Sequence, residues 1–131
     1  DTVDGRFDAL ALVVALIMRR LKDCGEAGQD LSQQLFDTMF ADMDLSLREM
    51  GAGDIGVAKR VRVMAEGFMG RLDAYASALD SRDRVALGAA LQRNLLRGDG
   101  KAGDPLIDFV LGLEARIADI DADLLLKGRL G

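Results

Sequence analysis

The chain has no histidine, no tryptophan, one cysteine, one proline and one tyrosine among its 131 residues. Each scarcity removes a class of function. Without imidazole there is no histidine general base, no His-ligated zinc and no His-ligated haem. The single thiol, Cys24, permits neither an internal disulfide nor a Cys-x-x-Cys site. It precedes Gly25, where a helix is expected to end, and nothing marks it as activated, so it reads as structural. Strand signals are nearly missing, because Val, Ile and the aromatics never alternate with polar residues over a strand length. A net charge of −5 with few aromatics and no dense basic run speaks against nucleic-acid binding. There is no signal-peptide pattern. The longest apolar run, Ala9–Met18, would span about 15 Å as a helix, about half a bilayer core. Bracketed by Arg6, Asp8, Arg19 and Arg20, it reads as a buried core helix or docking surface, not a membrane span. The first residue is Asp1, not Met, which reads as a trimmed chain whose N-terminal part is expected to be missing.

What is present is helical periodicity on a chain that is 50% hydrophobic, enough for one domain with a core of its own. Helix 1 is expected over about Gly5–Cys24, apolar on nearly every face and so covered by more than one neighbour. Helix 2 is expected over Asp30–Met50, with Asp30 as N-cap and Gly51 as the stop. Its stripe is Phe36, Met39, Phe40, Met43, Leu47 and Met50. Helix 3 is expected over Asp54–Leu79, capped by Asp54, with Ala58, Val61, Ala65, Phe68, Leu72, Tyr75 and Leu79 in a seam spaced three and four apart. Helix 4 is expected over Ser81–Arg97 and helix 5 from Asp104-Pro105 through Leu124. Gly98–Asp104 is the likeliest flexible loop by composition. The fold class is all-α: a single-domain bundle of about five helices over residues 1–131.

The segment Phe40–Arg60 holds the motifs. Gly51-Ala52-Gly53-Asp54-Ile55-Gly56 matches GxGxxG, but a helix precedes it where a dinucleotide site needs a parallel strand, and Asp54 stands where phosphate would go. Asp42-Met43-Asp44 begins like a calcium loop, which wants Gly at its sixth position and Glu at its twelfth; Leu47 and Gly53 stand there instead. No metal and no cofactor are expected. A simpler role for the acids is pairing. Asp44 and Arg48 are four apart on one helix face, and the other acids of helix 2 could pair with Lys59, Arg60 and Arg62 across the turn. Paired carboxylates could do acid–base chemistry, but no nucleophile accompanies them, and no catalytic residue is assigned. Gly67 and Gly70 inside helix 3 read first as close packing against a neighbouring helix. The alternative is a shallow groove, flanked by Phe68, Met69 and Tyr75, that receives a partner.

Arg6-Phe7-Asp8, Arg19-Arg20-Leu21, Leu35-Phe36-Asp37, Asp42-Met43-Asp44, Leu47–Asp54, Gly70-Arg71, Tyr75 and the run Leu91–Leu96 occur in one order and spacing. In that order and spacing the chain resembles the ubiquinol–cytochrome c chaperone family, assembly factors of the cytochrome bc complex. The resemblance covers about Arg6 to Leu96. It implies a non-enzymatic chaperone whose client is newly made cytochrome b. The mitochondrial relatives work with a small partner protein, near the ribosomal exit and at the inner membrane. This bacterial-type chain need not share those partners. The resemblance implies the bacterial cytoplasm, with peripheral contact at the inner membrane left open.

The expected client surface is the corner between helices 2 and 3. Asp42, Asp44, Arg48, Glu49, Asp54, Lys59 and Arg60 would orient the client, and Met43, Met50, Phe68, Met69 and Tyr75 would supply apolar contact. The same residues could equally brace the corner. A second reading is a homo-oligomeric helical scaffold or adaptor that associates through the helix 5 seam Leu106, Val110, Leu113, Ile117, Ile120 and Leu124.

Overall fold

The all-round apolar run of the first helix decides the architecture, since such a helix is stable only when several neighbours cover it. In a computed structural model describing residues 3–51, 53–97, 100 and 102–127, α1 (Val3–Leu21) packs against α2 (Gly25–Glu49), α3 (Asp54–Asp80) and α5 (Asp104–Ala118). α4 (Arg84–Asn94) lies between α3 and α5, and the short α6 (Ala122–Lys127) rests on α2. No strand occurs among the described residues. The chain is an all-α bundle, as its periodicity requires.

The centre is aromatic. Phe7, Phe36, Phe40 and Phe68 join α1, α2 and α3, with successive ring centroids 4.7–6.1 Å apart in tilted or edge-on contact. Met39, Met43, Leu47, Tyr75, Leu79, Leu87, Leu91 and Val110 close the core around them.

The helix ends differ from the sequence expectation for local reasons. α2 starts at Gly25, directly after α1, because Gly25 takes a φ of +68° and turns the chain within a few residues. Asp30 is therefore an exposed position inside α2 and caps nothing. Gly51, at φ +87°, ends α2 as expected. The cap residue of α3 is Gly53, one place before Asp54, whose side chain lies outside the described set. Ser81 does not open α4 but closes α3. Arg82, at φ +54°, donates its N–H to the Leu79 carbonyl, and Asp83 donates to that of Ala78. Asp83 then caps α4 by accepting the Ala86 N–H at 3.1 Å. Helix 5 is expected to run through Leu124, but it breaks after Ala118. The Asp121 carboxylate accepts the Asp123 N–H at 2.8 Å and starts α6 afresh. Gly98, Asp99 and Lys101 of the expected flexible loop lie outside the described residues.

Candidate functional site

Three helix ends meet imperfectly. α1 contributes Met18, Arg19 and Arg20, the turn after it Lys22 and Asp23, and α2 one face of its first half, Gln29, Ser32, Gln33 and Phe36. α3 contributes Met69, Leu72, Asp73, Ala76 and Asp80. Between them lies an open groove of about 780 Å³. Its apolar lining is Met18, Phe36, Leu72 and Ala76, all half-buried, and Met69, which is exposed. The rim is polar. Arg19 donates to Asp80 at 2.7 Å and to Glu114 of α5 at 2.9 Å, while Arg82 also reaches Glu114 at 3.0 Å. Arg20 donates to the Ile120 carbonyl at 3.0 Å and to the Cys24 sulfur at 3.4 Å. Lys22, Asp23 and Asp73 are exposed and have no ion-pair partner among the described residues.

A second constellation lies inside the molecule. Asp8, 1% exposed, accepts a hydrogen bond from Arg71 at 2.5 Å and a two-point bond from Arg97, through Nε and, at 2.9 Å, Nη2. The Arg71 guanidinium also lies 5.2 Å from the Phe7 ring centre, in cation–π range. Tyr75 sits beside them, buried, and its hydroxyl has no hydrogen-bond partner among the described residues. Burial pushes its phenol up to about 12; Arg71 offsets part of that shift and Asp8 adds to it. Phe7 and Asp8, Arg71 and Tyr75, which stand in three of the words that carry the family resemblance, are thus brought together as an internal brace that ties α1, α3 and the segment after α4.

The structure divides the twelve expected client-surface residues. Met43, Phe68 and Tyr75 are 1%, 0% and 2% exposed and lie in the core of this structure. All three belong to the hydrophobic core, where Phe68 meets Phe36 and Phe40 of α2, and sequence spacing does not distinguish an inner stripe from an outer one. Asp42, Arg48, Glu49, Met50, Lys59 and Arg60 are exposed around the corner, and Asp44 is half-buried. Arg48 and Asp44 form the expected pair at 2.5 Å. The expected pairing across the turn is not made by Asp42, Glu49 or Lys59, which have no ion-pair partner among the described residues. Met50 and Ile55 are 68% and 88% exposed at this corner. Met69 belongs to the groove, well along α3 from the corner.

Gly67 and Gly70 overturn the close-packing expectation, since a Cβ at either would meet nothing within 4 Å. The helix 5 seam is mostly spent internally, with Val110 at 0% and Ile117 at 7% exposure. Sequence reasoning offered a groove only as the alternative at Gly67 and Gly70, and of its three flanking residues Met69 alone lines the groove found; Met18, Phe36 and Leu72 read as ordinary core. The available signal was the uncharged polar row Gln29, Ser32 and Gln33 leading to Phe36 on one helix face.

The chain is a helical module: an all-α bundle with an open, amphipathic cleft and no described helix long and apolar enough to cross a membrane. The sequence matches the ubiquinol–cytochrome C chaperone family model over residues 1–130, and the chain belongs to that family. It is 29% identical over 134 residues to ubiquinol-cytochrome-c reductase complex assembly factor 1 of Xenopus laevis, an alignment covering 99% of this chain and 66% of that protein. The crystal structure of the Cbp3 homolog from Brucella abortus superposes with a TM-score of 0.81 at 36% identity, covering all of this chain and 75% of the other.

Proposed function

We propose that this chain is an assembly chaperone of the ubiquinol–cytochrome c reductase complex that holds newly made cytochrome b. The observation that carries the reading is the family match along residues 1–130 on a bundle that leaves an apolar cleft open. The assembly role named for the frog relative supports it. In this reading the chain is not an enzyme, carries no cofactor, and acts by covering client surface until the complex forms. The groove is the holding surface. A second contact at the helix 2–helix 3 corner is favoured by the exposure of Met50 and Ile55 beside Arg48, Glu49, Lys59 and Arg60.

Deletion of the gene in its host, followed by cytochrome spectra of the membranes, tests the function. Loss of the b and c cytochromes of the complex is expected, and normal levels would sink the proposal. A photo-crosslinking amino acid at Met69 or at Met50 then separates the surfaces, with capture of cytochrome b expected from the groove position. Charge reversal at Arg48 and Glu49 decides the corner. Lost assembly with an unchanged melting temperature marks a contact, and equal loss of both marks a brace.

A further inference from the structure

We propose that the occupant of the groove is an amphipathic helix of a protein partner, acidic along one flank and basic along the other, and not a membrane-spanning segment. The inference rests on the chaperone reading and names the chemistry of what that surface holds.

The argument begins with coverage. The apolar floor is a single strip, and α3 lines it from Met69 to Asp80, about 16 Å along the helix axis, or about three turns of a partner helix. A membrane span is apolar around its whole circumference. Laid in this groove it would leave most of its surface in water and would press apolar side chains against unpaired rim charges, which must then be desolvated without a partner. An amphipathic helix has one apolar stripe about as wide as the floor, and polar flanks where the rim stands.

The rim is polarised. The α1 end presents Arg20 and Lys22, neither of which meets a carboxylate among the described residues. Arg20 donates only to a carbonyl and a sulfur there. Asp23 beside Lys22 offsets part of this charge. The α3 wall presents Asp73, also unpaired among the described residues, and Asp80, which Arg19 already neutralises. The complementary ligand therefore carries Glu or Asp toward the α1 end and Lys or Arg toward α3. The α2 wall, with Gln29 and Ser32, supplies uncharged groups that donate or accept as needed. Met18 and Met69 in the floor adapt to differing apolar side chains.

The test uses the whole chain and three fluorescent synthetic helices of about 14 residues. The first has a Leu/Met stripe with Glu on one flank and Lys on the other. The second has the same composition with the charges scrambled over both flanks. The third contains only Leu and Ala with polar ends. Fluorescence anisotropy is expected to rank the segregated helix first, by about threefold to tenfold over the scrambled one. Methyl NMR of the methionines should shift Met18 and Met69 and leave Met50 in place. The exposed substitutions Lys22→Glu and Asp73→Lys, with melting curves as a folding check, should each remove most of the preference. The proposal is overturned if the apolar helix binds as tightly as the segregated one, if scrambling has no effect, if Met50 shifts instead, or if none of the helices binds. Any of these results with cytochromes lost on gene deletion would leave the assembly role standing and remove only the proposed ligand.

Discussion

Tyr75 concentrates the chemistry of the interior on one atom. Its hydroxyl is buried, lies beside the Asp8–Arg71–Arg97 cluster, and has no hydrogen-bond partner among the described residues. Because it is the only tyrosine of the chain, tyrosinate absorbance reports this residue alone. Burial raises its pKa from 10 to about 12, so the fold favours the neutral phenol. That contribution is complete below the unfolded value of 10 and is lost as pH rises through about 12. We expect an absorbance midpoint displaced well above 10 in the native protein and restored to about 10 in urea. Tyr75→Phe removes an unsatisfied buried hydroxyl, so it should raise stability at neutral pH by up to roughly 1–2 kcal/mol and blunt the alkaline loss. A midpoint near 10 in the native protein, or a destabilised Phe variant, would mean that the hydroxyl has a partner.

At the scale of elements, glycine positions show what helices gain and lose. Gly67 and Gly70 face open space at backbone angles that any residue adopts. Gly67→Ala and Gly70→Ala should each stabilise the chain by about 1 kcal/mol, read as a rise in melting temperature of a few degrees. Gly28 is the opposite case. A Cβ there would lie 2.3 Å from the Leu21 carbonyl oxygen and 2.7 Å from the Cys24 Cβ, so Gly28→Ala should lower the melting temperature. These glycines look alike in sequence, and only the crossing of α1 and α2 separates them. The helices themselves were legible from periodicity, since local spacing determines which side of a helix is apolar. Their ends were less so, and α2 begins at Gly25, five residues before the expected cap Asp30. The α3–α4 corner is made by an arginine at positive φ, and the helix 5 break by an aspartate side chain, against an apolar pattern that runs on unbroken.

Over the whole molecule, legibility falls with sequence separation. Asp8 lies 63 residues from Arg71 and 89 from Arg97, and no local pattern announces that they meet. The groove likewise takes its residues from three helices, each ordinary alone. Long-range polar contacts also set how firmly the outer helices are held. Glu114, 15% exposed, joins α5 to Arg19 of α1 and to Arg82 after α3, whereas α6 has no buried residue. Removing that carboxylate leaves Arg19 only Asp80 among its described carboxylate partners, and Arg82 none. The outer elements should then open more readily than the bundle. Glu114→Ala is expected to speed amide exchange in α5 and α6 about tenfold, as one lost part-buried ion pair would. Exchange in the paired halves of α1, α2 and α3 should stay unchanged, because their aromatic centre does not depend on Glu114. Uniform acceleration through all helices would instead show that the bundle opens only as a unit, with α5 as integral to it as α1.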